Sequence, residues 1–112
     1  MSRYSDMTCE ACRVGAPPAS EEQIKVFLDD NPDWVRLVVA GEPRIQRVFQ
    51  FGDFEQALSF TNRVAALAEE QGHHPALLTE WGRVTVSWWT HKIRDLHVND
   101  LIMAGKTDRL AA

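Results

Sequence analysis

The feature that most limits what this chain can fold into is a change of hydrophobic period across one short connection. Before it, Phe54, Ala57, Leu58, Thr61, Val64, Ala65 and Ala68 recur at helical spacing between Asp53 and Gly72. After it, Val84, Val86 and Trp88 alternate with Thr85, Ser87, Trp89 and His91, the period of a strand with two unlike faces. A chain holding both must lay a long amphipathic helix on a sheet. Asp53 with Gln56 three residues on reads as a helix start. Gly72 reads as the residue just past the helix end, where a left-handed backbone suits glycine. The connection is Glu69-Glu70-Gln71-Gly72-His73-His74-Pro75. Pro75 biases His74 towards extended geometry, so two imidazoles sit on a link held at both ends.

The rest of the chain supplies matching pieces. Ser20 and Gln23 have capping-box spacing, Glu21 and Glu22 suit a helix start, and Ile24, Phe27 and Leu28 form an apolar stripe that stops at Asn31-Pro32. Trp34–Val39 reads as a strand. Ala40-Gly41-Glu42-Pro43 is a turn signal, and Arg44–Phe51 a second strand. There Ile45, Phe49 and Phe51 share one face and Arg44, Gln46 and Gln50 the other, with Arg47 and Val48 out of pattern. Ala76–Trp81 is a short candidate strand, Gly82-Arg83 a turn, and Val84–His91 the clearest strand. From Leu96 the pattern is helical again, with Val98, Leu101 and Ile102 apolar. The predicted order is α-β-β-α-β-β-α. This is an α+β fold, a four-stranded antiparallel sheet with three helices on one face. Residues 1–19 are expected to be an irregular leader and 20–112 a single domain.

Composition removes several function classes. A chain of 112 residues is one domain with a modest core. Its net charge of -4 argues against a general nucleic-acid surface. No apolar run has the length of a membrane span, and the first ten residues lack the apolar centre of a signal peptide, which favours the cytoplasm. Cys9 and Cys12 form a C-x-x-C pair with no second pair to complete a zinc site. The pair lies in a polar leader, not between a strand and a helix as a redox motif would.

The chemistry rests on His73, His74 and His91. Imidazole titrates near neutrality and can give or take a proton without large tuning. Three neutral imidazoles can instead bind zinc and leave a position for water. Glu69, one helical turn before His73, can reach the same region and fix a tautomer in either case, or remain a solvated helix-end carboxylate. His97 stands at the start of the last helix and reads as a surface residue. No nucleophile triad, phosphate-cradling loop or dinucleotide fingerprint is present.

Taken together, Glu69-x-x-x-His73-His74-Pro75, Trp81, Val84-Thr85-Val86-Ser87-Trp88-Trp89-Thr90-His91 and Asp100 resemble the pterin-4a-carbinolamine dehydratase family in its bacterial form. Phe51-x-x-Phe54 and Phe60-Thr61 add to the likeness, which runs from about Ser20 to Leu110. The cysteine leader resembles only some bacterial members. The resemblance implies the same element order and a homodimer or homotetramer. It implies dehydration of 4a-hydroxytetrahydropterin to quinonoid dihydropterin, with no metal and no cofactor. That reaction recycles the cofactor of phenylalanine hydroxylase. It implies His73 and His91 as the acid-base pair and His74 as a substrate-binding group, with Glu69, Pro75, Trp81, Thr90 and Asp100 as lining or support. Some animal members also serve as dimerisation partners of a transcription factor, so a non-catalytic binding or regulatory module is the alternative expectation.

Overall fold

A computed structural model of the chain describes residues 3–9 and 16–111. Helix α1 spans Glu21–Asp30, strand β1 Val35–Val39, β2 Glu42–Gln50, helix α2 Phe54–Gln71, β3 Ala76–Glu80, β4 Arg83–Trp88 and helix α3 Val98–Ala111. The strands lie in the order β1-β2-β4-β3, every neighbouring pair antiparallel. The expected α+β order and sheet are present. A short 3-10 helix at Arg3–Asp6 precedes them. Cys12 lies outside the described residues.

The helix ends follow from local chemistry. The Ser20 hydroxyl accepts the Gln23 N–H at 3.0 Å while the Gln23 side chain accepts the Ser20 N–H at 2.8 Å, a full capping box on α1. The Asp53 carboxylate caps α2 by accepting the Gln56 N–H. Gly72 ends α2 at φ 65°. A Cβ there would meet nothing within 4 Å, so the demand for glycine is one of backbone conformation alone.

The core lies on one face of the sheet. Ile45, Phe49, Val84, Val86 and Trp88 point into it and meet Ile24 and Phe27 of α1, Phe60 and Val64 of α2, and Leu101 and Met103 of α3. Each such side chain contributes about 1.5–3 kcal/mol by leaving water. The buried line of α2 is Ala57, Phe60, Val64 and Ala68, whereas Phe54 and Leu58 are 44% and 43% exposed. The stripe is therefore rotated from the expected one towards Phe60, whose large ring wins the buried side.

Two strands differ from expectation by more than one residue at an end. Strand β2 begins at Glu42, with Pro43 paired to Val38. Proline is tolerated there because the β4 ladder reaches only to Ile45, leaving the far side of Pro43 unpaired. Arg47, the break in the apolar face of β2, lies with its guanidinium 4.4 Å from the Phe49 ring centre and 2.9 Å from Asp108 of α3. It covers the core with its stem and carries its charge to the rim. Strand β4 stops at Trp88, so His91 is not a strand residue as expected. It opens a turn in which the Ile93 and Arg94 N–H groups bond back to the Thr90 and His91 carbonyls. The backbone bond from Thr90 N–H to Asp95 O closes that turn, and its reversal at Arg94, φ 52°, ends the alternation.

Candidate active site

Three segments converge at one corner of the sheet: the α2 end with His73 and His74, the β4 end with Thr90 and His91, and the first turn of α3. The His73 N–H bonds to the Ala68 carbonyl at 3.2 Å, which turns the chain inward just after Gly72. The His73 ring is 4% exposed and lies parallel to Trp88, with centres 5.8 Å apart and planes at 8°.

Asp100 organises this corner. It is fully buried in the first turn of α3. Its Oδ1 is 2.7 Å from His73 Nε2, and its Oδ2 accepts the Thr90 hydroxyl at 2.8 Å and the His97 backbone N–H at 2.9 Å. With Asp100 as the acceptor of all three, His73 Nε2–H donates to Oδ1, and this bond sets that ring's tautomer. The third bond is half of a helix cap. In the other half, His97 Nδ1 accepts the Asn99 N–H at 3.0 Å.

This corrects the reading of His97, which is 4% exposed and not on the surface. Its ring takes the capping role usual for a serine or aspartate. The signal available in sequence was the spacing His97-x-x-Asp100, a capping box with unusual partners.

His74 and His91 lie on the open side. His74 Nε2 is 2.6 Å from Glu69 Oε2, and both side chains are mostly exposed. His91 Nε2 donates to the His74 carbonyl at 3.3 Å. The His91 ring also meets Trp89, with centres 4.4 Å apart. Pro75 is half-buried and leads directly into β3.

Of the residues expected to support the site, Glu69, Thr90 and Asp100 each bond to a histidine or to its support. Trp81 does not join them. It is 73% exposed in the turn after β3, with Gly82 at φ 78°. The rise of β3 alone puts it roughly 15–20 Å from His74. The sequence pattern assigns no site role to Arg44 or to the ring of Trp89, which meets His91. The Arg44 guanidinium sits 3.7 Å from the Trp89 ring centre. Their meeting depends on the pairing of β2 with β4, which no local pattern announces.

Among the described residues, no three His, Cys, Asp or Glu side chains are gathered as metal ligands. The half-buried Cys9 Sγ faces the Asn99 carbonyl at 3.9 Å, and the Cys9 N–H donates to the Gln71 side chain. No helix of the described residues is long and apolar enough to cross a membrane.

What the corner can do is proton transfer: one imidazole braced by a buried carboxylate and two more open to a ligand. Comparison with known proteins identifies the family of the chain. The model of the family "Pterin 4 alpha carbinolamine dehydratase" matches residues 17–110. A protein of Syntrophotalea carbinolica named "Putative pterin-4-alpha-carbinolamine dehydratase" is 59% identical over 110 residues, 98% of each chain. One of Nitrosococcus oceani with the same name is 56% identical, covering 98% of this chain and 97% of its own. Among solved structures, a transcriptional coactivator/pterin dehydratase from Brucella melitensis superposes with a TM-score of 0.75 at 30% identity, over 86% of this chain and all of that one. A pterin dehydratase-like protein described as a RuBisCO assembly factor in the alpha-carboxysome gives 0.61 at 26% identity, over 71% and 90%. The chain belongs to the pterin 4 alpha carbinolamine dehydratase family, and so to the dehydratases.

Proposed function

We propose that the protein converts 4a-hydroxytetrahydropterin to quinonoid dihydropterin and water by histidine acid-base catalysis, returning the cofactor of phenylalanine hydroxylase to use. The observation that carries the reading is the bond between His73 and the fully buried Asp100, with His74 and His91 beside it. Elimination needs a proton delivered to the departing 4a-hydroxyl and another taken from N5. His73 and His91 carry these two transfers, each typically contributing about 100- to 10,000-fold. The Asp100 carboxylate on Nε2 holds the His73 ring in place and fixes its tautomer. His74, paired with Glu69, binds the substrate. Thr90 supports Asp100, and Pro75 sets the exit of the histidine pair. Neither a metal nor a cofactor enters this scheme.

The protein is expected to work in the cytoplasm as a homodimer or homotetramer. Leu78, 57% exposed on edge strand β3, and the following Trp81 support an intersubunit face there. Light scattering after size exclusion reads the mass directly.

The test is turnover of chemically generated 4a-hydroxytetrahydropterin, followed by ultraviolet absorbance against the spontaneous rate. Wild type accelerates it. His73→Ala and His91→Ala lose kcat with the fold intact, and His74→Ala acts mainly on KM. Near-normal turnover in both of the first two variants defeats the assignment.

A second reading is a non-catalytic binding module. The names of the two solved neighbours, a transcriptional coactivator and a RuBisCO assembly factor, favour it. Such a module tolerates loss of all three histidines, and the enzyme does not.

A further inference from the structure

We propose that Arg44 is a positioning residue for His91, acting through the ring of Trp89. The inference rests on the acid-base role proposed for His91. That residue stands on a turn outside the β-ladder, and its ring nitrogen makes one long bond, 3.3 Å, to the His74 carbonyl. One such bond leaves the ring free to swing about it. The ring also packs against Trp89, whose centre lies 4.4 Å away with planes at 38°.

Trp89 therefore helps decide where the His91 nitrogens point, and its own orientation matters. It is 7% exposed, yet its indole N–H has no hydrogen-bond partner among the described residues. Tryptophan buried this deeply usually anchors through that N–H, as Trp34 does on Asp108 and Trp88 on Thr107 in this same protein. Trp89 lacks that anchor and is held by packing. The group packed on it is the guanidinium of Arg44, 3.7 Å from the ring centre, a cation over an aromatic face.

Arg44 shows the same choice from its side. It is half-buried, and its Nε also has no partner among the described residues. A flat guanidinium that gives up hydrogen bonding at Nε to lie on an indole is placed by stacking. The contact chain is thus Arg44 on β2, Trp89 just past β4, and His91 on the turn.

The experiment compares Arg44→Ala, Arg44→Gln, Arg44→Lys, Trp89→Ala and the Arg44→Ala/Trp89→Ala double variant in the dehydration assay. The His91 ring protons are followed by NMR. Arg44→Ala is expected to lower kcat on the order of 10-fold, less than the roughly 100-fold that a full 1 Å misplacement of a reacting group can cost. KM should stay close to wild type. Arg44→Gln keeps the length without the charge and should behave alike, guarding against a folding artefact. Arg44→Lys, a cation without the flat guanidinium, restores only part of the lost kcat. The double variant is no slower than Trp89→Ala, because both act on the same ring. The His91 ring signals move in Arg44→Ala as Trp89 shifts its ring current. Wild-type kcat in Arg44→Ala and Arg44→Gln, a loss confined to KM, or unmoved His91 signals overturns the proposal. Wild-type turnover in His91→Ala removes the acid-base role itself and the proposal with it. A slow His91→Ala beside an unaffected Arg44→Ala removes only the positioning role.

Discussion

His73 Nε2 and Asp100 Oδ1 are 2.7 Å apart, with the two side chains 3% and 0% exposed. The pair ties the end of α2 to the start of α3 in a place water does not reach. Asp100 also accepts from Thr90 and from the His97 N–H, so its removal strands three donors. Asp100→Ala is expected to cost about 3 kcal/mol or more in urea unfolding, the scale for breaking a buried charge-assisted network. Asp100→Asn preserves the shape but puts an amide N–H where an acceptor is needed. It should fold and lose about 10- to 100-fold in turnover, the usual effect of removing the carboxylate behind a functional histidine. An Asn variant with full activity means that His73 does not need its partner.

The pair of Glu69 and His74 is the same chemistry in solvent. Its 2.6 Å bond joins side chains that are 78% and 58% exposed. Glu69→Gln is expected to change stability by less than about 0.5 kcal/mol, because exposed pairs are screened and cost side-chain entropy. Its effect should fall on KM, through His74, with kcat near wild type. A kcat loss as large as that of Asp100→Asn would instead put Glu69 in the proton transfer.

Gly105 is where the N-terminal segment meets α3. A Cβ on it would lie 2.9 Å from the Ser5 backbone nitrogen and 3.3 Å from Ser5 Cα. Around that contact Lys106 Nζ reaches the Ser5 carbonyl, Arg109 pairs with Asp6, and the Tyr4 ring meets Phe27 edge-on. Gly105→Ala is expected to push residues 3–9 off the helix. Limited proteolysis and amide exchange there should accelerate, with turnover close to wild type. Unchanged protection of that segment would contradict the close approach.

Asp108 gives a pH dependence. Burial pushes its carboxyl above the ordinary value of 3.8, against the opposing pull of the Trp34 N–H and of Arg47. A carboxyl raised in the folded state binds its proton more tightly there than when unfolded. Its contribution to stability is therefore full below the unfolded value and is lost as pH rises through the folded one. Asp108→Asn mimics the neutral acid. Relative to wild type, it should be more stable at pH 7 than at pH 4, as urea midpoints at the two pH values will show. The opposite order would mean that the ion pair with Arg47 outweighs burial.

The sequence by itself determined the elements and the chemistry. Helical spacing ahead of Gly72, alternation after Val84 and the caps at Ser20 and Asp53 are local rules, set by backbone geometry and by neighbours within four residues. They were legible without the fold, as were the histidines, because residue type declares what an imidazole can do. Tertiary structure decided what those rules leave open. Phe60 rather than Phe54 faces the core because the sheet offers depth on one side of α2 only. His91 leaves the strand because Thr90 pairs with Asp95 across a turn, an interaction absent from any period-two pattern. His97 is buried because the start of α3 needs a cap where no serine or aspartate stands. The partners of the site, Asp100 for His73 and Arg44 for Trp89, lie 27 and 45 residues away along the chain. Such contacts exist only once non-local strands and helices are packed, and single-residue propensities carry no information about them.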